Sequence, residues 1–449
     1  MQTRRDHLQA YQFAMGRLAT ALVSGDPGRG ESPTKRAALG SVLGAGIVVL
    51  LCAGFGVYGL ISPAPTDDWR TPGSIVLDQS TGSRYLYLDG VLRPVRNYAS
   101  ALLIAGKGAT MRSVSAKSLA NTPDGAPIGI PDAPDALPDA SALLNGPWTR
   151  CLRPDLPAGE SVDFTPAGRT SVVPADQQVL LTGPDGKLHL LWQGVSYLVP
   201  STATLIALRL DTDQAVPAPD SWLRTLPAGA PLVAPALAGS GRPAGSVGGQ
   251  AVKIGQLFTT TDGDSRTYVM TAGGLAPVSA TTAALLAAEP GAAPVRQVSS
   301  TVMAAAPVAA PGNSPGTDLP DVLGARQLAV GSRSAVCELQ HIAANGRTVA
   351  GTLVLEHGGS GTGGPAVDVP VGGGVFAVAQ EDVVAQVSNP QEYLITDQGT
   401  AYPIDSTAAA LLGLGSTSPV ELPQSLLDVL PRGPVLSQSA AEATVGGGS

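Results

Sequence analysis

The residue types able to do chemistry are few in this chain, and their spacing gives them little to do. His7, His189, His341 and His357 are its four histidines, and none stands at metal-ligand spacing from another or from a pair of cysteines. A phosphate loop requires G-x-x-x-x-G-K-[ST]; Gly186-Lys187 is followed by Leu188 and Gly106-Lys107 by Gly108, so neither qualifies. Gly359, Gly361 and Gly364 fit G-x-G-x-x-G. Pro365 and a strand-like run follow where a pyrophosphate would need a helix N-terminus, so the segment reads as a glycine-rich turn. Ser360 in GGSGT misses G-x-S-x-G at its last position, and His357 is too near in sequence to act as its base. Asp132 with Asp135, and Asp262 with Asp264, fall in Pro/Gly turns where aspartate caps its own backbone. No catalytic, metal-ligating or cofactor-binding residue is assigned.

Cys151 and Cys337 are the remaining reactive types. The third cysteine, Cys52, sits in an apolar run as a small filler. The other two are expected to be bonded in an oxidising compartment, with free thiols as the alternative. A loop of 186 residues gives about 5 kcal/mol in the chain-entropy model.

What must position these residues starts with residues 39–61, LGSVLGAGIVVLLCAGFGVYGLI, a run without charge that spans about 34 Å as a helix. That length suits a transmembrane helix; a buried core helix is the alternative. Arg4, Arg5, Arg17, Arg29, Lys35 and Arg36 precede it, and Asp67, Asp68 and Arg70 follow. The positive-inside rule then holds the N-terminus in the cytoplasm. Leu8, Tyr11, Met15, Leu18 and Leu22 recur at steps of three and four, one face of a helix that ends before Gly25. That face suits docking of a partner, or rests on the inner leaflet as an interfacial helix.

Four later segments share one pattern: RYLYLDGVLRPVRNYASALLIA (84–105), LHLLWQGVSYLVPSTATLIAL (188–208), TYVMTAGGLAPVSATTAALLA (267–287) and EYLITDQGTAYPIDSTAAALLG (392–413). Each turns at a glycine (Gly90, Gly194, Gly273, Gly399) and four residues later reaches Pro94, Leu198, Pro277 or Pro403. The unit reads as a β-hairpin followed by a capped Ala/Leu-rich helix, against chance similarity in an Ala/Gly/Pro-rich chain. LPAGAPL (226–232) and LPRGPVL (430–436) recur after the second and fourth. RSAVCEL, TVAGTLVLEH and AVDVPVGGGVFAVA suggest strands of a central sheet or barrel.

The expected organisation is a cytoplasmic helix and basic linker (1–38), a transmembrane helix (39–61) and repeat modules at 62–120, 181–235, 236–290 and 381–437. Linker and central β segments fill 121–180 and 291–380, and a disordered tail covers 438–449. The fold class is thus a single transmembrane helix plus a large β-rich α+β extracytoplasmic region, with four small repeat modules joined by one central β core. Composition agrees: 55 Gly and 39 Pro with 14% charged residues, against a usual ~25%, exclude long helical bundles and coiled coils. A net charge of −8 makes nucleic acid an improbable partner.

TRRDHLQAYQFAMGRLATALVSGDP, GVYGLISP, TGSRYLYLDGVLRPVRNYASALLIAG, GAPIGIPDAPDALP with W-x-x-C at Trp148 to Cys151, and YLITDQGTAYPI, in this order, resemble EccB, the single-pass membrane component of actinobacterial type VII (ESX) secretion systems. The resemblance implies a structural subunit of the cytoplasmic membrane. Its implied partners are EccC, EccD, EccE, further EccB copies and the mycosin protease, in a complex exporting WXG100-type proteins. It also implies an elongated and quasi-symmetric fold of four small repeat modules around a central β domain, with Cys151 and Cys337 matching the family's bonded pair. EccB proteins carry an ATPase label, so ATP hydrolysis is an alternative by family attribution alone; no nucleotide motif supports it. A cell-wall-binding anchor is a further alternative.

Overall fold

Short apolar runs broken by glycine and proline turns build strands of two to nine residues, and among the described residues helices longer than eight residues occur only toward the N-terminus. The computed structural model describes residues 4–24, 33–61, 67–106, 108–166, 168–262, 266–331, 333–357 and 364–444. The chain divides into two compact units: Met1–Trp69 with Asp78–Thr81 and Ser113–Asn121, and Arg70–Leu77, Gly82–Arg112 and Thr122–Ser449. In the first, α1 (Arg4–Ser24) precedes α2 (Pro33–Ile61). Ala37–Gly59 of α2 is the one stretch among the described residues long and apolar enough to cross a membrane, and none of it is buried inside the protein.

Along the rest of the chain come β1 (Ile75–Asp78), β2 (Arg84–Leu88), β3 (Val91–Pro94), α3 (Tyr98–Ala105), β4 (Met111–Val114) and α4 (Ala116–Leu119). Then follow β5 (Trp148–Leu152), β6 (Glu160–Asp163), β7 (Thr170–Val172), β8 (Gln177–Thr182), β9 (Leu188–Trp192), β10 (Val195–Val199), α5 (Thr202–Ala207), β11 (Val216–Pro217) and α6 (Asp220–Leu223). The hairpin β12 (Pro243–Val247) and β13 (Gln250–Lys253) leads to β14 (Leu257–Thr260), β15 (Thr267–Thr271), β16 (Gly274–Val278), α7 (Ala280–Ala287), β17 (Arg296–Val298) and α8 (Ser300–Ala304). The chain continues through β18 (Arg326–Gln327), β19 (Ser334–Ile342), β20 (Val349–His357), β21 (Val367–Asp368), β22 (Gly374–Ala379), α9 (Gln380–Val384), β23 (Glu392–Thr396), β24 (Ala401–Ile404), α10 (Ala408–Leu411), β25 (Val420–Leu422), α11 (Gln424–Leu427) and α12 (Gln438–Glu442).

Four sheets have the same strand order: β3-β2-β1-β4, β10-β9-β8-β11, β16-β15-β14-β17 and β24-β23-β22-β25. In each a hairpin is followed by a helix, and a later strand closes the far edge; in the last three that strand is parallel to its neighbour. The sequence pattern falls on matching ladder positions. Tyr85 pairs with Pro94, Tyr268 with Pro277 and Tyr393 with Pro403, while in the second hairpin both partners change together, to His189 and Leu198. Asn97, Ser201 and Ser279 cap α3, α5 and α7 by accepting from the backbone N–H three residues on. The fourth helix, α10, has no side-chain cap hydrogen bond.

The turn glycines are not equivalent. Asp89-Gly90 and Gln193-Gly194 each pair two left-handed residues, as a twisted two-residue hairpin turn requires, and Gly399 is left-handed at φ 72°. Gly273 lies in the turn between β15 and β16 with an ordinary φ. Its neighbour Gly274 carries the demand: φ is 116°, and a Cβ there would sit 2.5 Å from the Pro307 carbonyl oxygen.

After each edge strand the chain returns to clip the third strand. Pro123, Pro227, Pro307 and Pro431 carbonyls accept from the amides of Leu92, Ser196, Leu275 and Ala401. Two residues on, the amides of Gly125, Gly229, Ala309 and Gly433 donate back to those same four residues. Where the third strand places Tyr197 or Tyr402 beside the clip, a Cβ on Gly229 or Gly433 would lie 2.2 or 2.3 Å from the ring. Where it places Ala276, alanine stands at 309.

The central sheet has the order β21-β6-β5-β19-β20-β7. Three expected boundaries move. The run 367–379 is divided: Val367–Asp368 joins the central sheet, while Gly374–Ala379 lies in the fourth small sheet. Residues 291–318, whose composition suits extended linkers or edge segments, supply the edge strand β17, α8 and the Pro307 clip, so the third unit runs past residue 290. Gln438–Glu442, within the tail expected to be disordered, form α12, which packs on α3 with Ala441 fully buried.

Candidate functional site

Side chains alternate across β5 and β19, which run antiparallel with Cys151 opposite Cys337 and Arg150 opposite Glu338. Both strands lie in the middle of the sheet, and all five residues of β5 are buried. Cys151 and Cys337 are disulfide-bonded at a Cα separation of 4.0 Å, tying sequence neighbourhoods 186 residues apart.

One face of this strand pair is ionic and sealed. Arg150 donates through Nε and Nη2 to Glu160 Oε2 at 2.9 and 2.6 Å, and Ser221 Oγ donates to the other carboxylate oxygen. Trp222 Nε1 donates to the Arg150 carbonyl at 3.0 Å, so α6 is bolted onto this face. Glu338 Oε2 accepts from Thr225 Oγ1 at 2.6 Å and Gln340 Nε2 at 2.8 Å, and Gln340 Oε1 in turn accepts from Trp148 Nε1 at 2.9 Å. Burial pushes the Glu338 carboxyl above its ordinary value, against those hydrogen bonds and the nearby Arg150 charge. Its Oε1 lies over Gly351, where a Cβ would come within 1.9 Å, so this glycine is required for space.

The opposite face holds the disulfide. Glu356 Oε2 accepts from Thr149 Oγ1 at 3.0 Å and lies 3.1 Å from Cys151 Sγ and 3.7 Å from Cys337 Sγ. A disulfide sulfur has no proton to donate, so these are close contacts rather than hydrogen bonds. Arg169 gathers the acids here, pairing with Asp163, with Asp368 at 3.1 Å and with Glu356 at 3.8 Å. Cys151, Cys337 and Glu356 form the one grouping among the described residues with metal-ligand spacing. With the sulfurs bonded to each other, neither is the thiolate a metal would need.

The other chemistry-bearing residues are dispersed. Asp135 pairs with Arg84 at 2.9 Å and accepts from the Tyr98 amide, whereas Asp132 makes a left-handed turn. Asp262 accepts from the side chain and amide of Ser300 at 2.5 and 2.7 Å, bonds that hold its carboxyl below the usual range. Gly359, Ser360, Gly361 and Asp264 lie outside the described residues. His357 bridges Ser171 and Ser334 at 3.1 and 3.0 Å on an exposed edge. His189 stands 3.4 Å from Ser196, its pKa lowered chiefly by burial. On α1, Leu8, Tyr11, Met15, Leu18 and Leu22 are each more than half exposed.

The ATP implied by the family label does not fit three cavities among the described residues that present a lysine or arginine. A 470 Å³ cavity in the third sheet region presents Lys253 together with Glu289. A 340 Å³ cavity beside β11 presents Arg153, already held by Asp155 through two bonds of 2.8 Å. Lys187, on a third, pairs with Asp185 at 2.6 Å. A triphosphate needs cations and backbone amides without competing carboxylates.

Residues 1–447 match the family model described as type VII secretion system ESX-1, transport TM domain B. The ESX-1 secretion system ATPase EccB1 of Mycolicibacterium smegmatis is 28% identical over 464 residues, covering 98% of this chain and 94% of that protein. ESX-3 secretion system ATPase EccB3 of the same species is 27% identical, covering 97% and 90%. Among solved structures, a chain of an intact ESX-5 inner membrane complex aligns at a TM-score of 0.60 and 22% identity, covering 100% of this chain and 96% of that one. A chain of an EccB3 dimer from the ESX-3 core complex aligns at 0.53 and 25%, covering 82% and 100%.

Proposed function

The chain belongs to the EccB family of type VII secretion membrane components, and from that footing we propose that it works as a non-enzymatic scaffold of an export complex. EccB is a core component of the ESX inner membrane complex, where it sits with other Ecc subunits and further EccB copies. The observation that carries the scaffold reading is the central sheet: its charged side chains pair with one another inside the protein, and a disulfide staples its middle strands. Such a layer holds strands in register and offers no group to a substrate. The word ATPase belongs to the relatives' names, and the cavity linings here speak against extending it.

In this reading α2 spans the cytoplasmic membrane and α1 lies on the cytoplasmic side, held there by the six cations that precede residue 37. The sheets lie beyond the membrane, where a disulfide persists. The exposed stripe of α1 docks on EccC, EccD or EccE, the mycosin meets the outer region, and WXG100-type proteins are the cargo of the whole assembly. Deleting residues 1–25 tests the docking role: the protein should stay in the membrane and be lost from the purified complex. Retention at normal occupancy would overturn it.

A further inference from the structure

We propose that a groove along β25 binds an extended, apolar segment of a partner protein through one lysine or arginine. β25 is the outermost strand of the fourth small sheet. A cavity of 420 Å³ runs beside it, lined by all four residues from Pro419 to Leu422. Its other walls are largely apolar, with Trp148, Phe164 and Val375 prominent, and it adjoins a second cavity of 320 Å³ that shares Phe164 and the Leu144–Pro147 segment. The three residues of β25 span about 10 Å, which sets the length of the contact. An extended chain laid there adds a strand to β25 and places alternate side chains against the apolar wall.

Charge selects the occupant. Residues 374–444 contain eight carboxylates and one cation, Arg432, a balance of −7 in a chain whose total is −8. Arg432 is already engaged, 4.6 Å over the Tyr393 ring and 3.5 Å from Asp428. Glu421, on the groove, has a carboxylate oxygen shielded from water with no hydrogen-bond partner. A shielded acceptor without a donor is costly, and an incoming ammonium or guanidinium supplies that donor. The other titratable side chain on the lining, His341, is exposed and leaves the acidic balance unchanged when neutral. Binding of this kind is a property of the single chain and does not depend on assembly into a secretion complex.

The test uses full-length protein in detergent and fluorescein-labelled Val-Thr-Val-Lys-Val-Thr, read by anisotropy. The lysine peptide should bind, weaken with added salt, and lose about tenfold or more in affinity when its lysine becomes glutamate or when Glu421→Gln is introduced at unchanged melting temperature. Hydrogen exchange supplies a readout independent of the variant: amides in Val420–Leu422 should gain protection on adding the peptide. Equal affinity for the lysine and glutamate peptides, absence of binding, or unprotected amides in that strand would each overturn the proposal.

Discussion

Replacing Gly433 with alanine isolates the contact between a return clip and its sheet. The φ of Gly433 is ordinary, so the backbone accepts alanine and only space opposes it. A Cβ would stand 2.3 Å from Tyr402 Cδ1 and Cε1, more than 1 Å inside the carbon–carbon optimum of about 3.5 Å. Tyr402 is only 7% exposed, and the Gly433 amide is tied to the Ala401 carbonyl at 3.0 Å. Overpacking of this kind costs about 1–3 kcal/mol, offset by about 0.4–1 kcal/mol from the stiffer unfolded chain, leaving a loss of about 1–2 kcal/mol. At about 2.1 cal/mol/K per residue, 2 kcal/mol in a unit of roughly 380 residues lowers Tm by only about 2.5 °C. Urea unfolding followed by tryptophan emission is therefore the better assay. The decisive measurement is the cycle with Tyr402→Ala: once the ring is gone the alanine has room, so the double variant should lose at least about 1 kcal/mol less than the two single losses added together. Ala309→Gly is the control, at a clip that faces Ala276. Additive losses at 402 and 433, or a neutral Gly433→Ala, would refute the claim that the ring dictates the glycine.

Cys151→Ser should cost up to about 5 kcal/mol and expose Cys337 to a thiol reagent on unfolding without reductant, checked by mass spectrometry of the peptide containing it. Labelling of Cys337 in the unmodified protein under the same conditions would show the two sulfurs unbonded. Glu338 predicts a pH slope. Burial raises its pKa in the folded state, so its contribution is fully present below the ordinary glutamate range and is lost as pH rises through the raised value. Unfolding free energy should fall across that window, and Glu338→Gln, which cannot ionise, should flatten the fall; an unchanged slope would place its origin elsewhere.

Local signals carried the hairpins. Tyr85–Pro94, Tyr268–Pro277 and Tyr393–Pro403 are cross-strand neighbours, so a pattern visible in one dimension reports one ladder position. The clips at Pro123 and Pro307 are hidden in one dimension because Thr122 in the first, and Ala306 and Ala309 in the third, break the L-P-x-G match of the other two, although P-x-[GA] spans all four. Strand β22 lies in the fourth small sheet and not in the central one, because an apolar run states that it is buried and not which neighbour buries it. The ionic layer was illegible for a related reason. β5 is buried on both faces, so alternation cannot mark Arg150 as inward, and its partner Glu160 declares itself only once β6 is in register. Register also explains why such a costly layer suits a scaffold. A slip of one residue between β5 and β19 would part Cys151 from Cys337, turn Arg150 to the disulfide face and leave Glu338 opposite the wrong side chains. Buried ion pairs add little net stability over apolar packing, yet each wrong register strands a charge in the core. The disulfide and the ion pairs therefore select one alignment of the sheet to which the second and fourth small sheets are joined through shared cores.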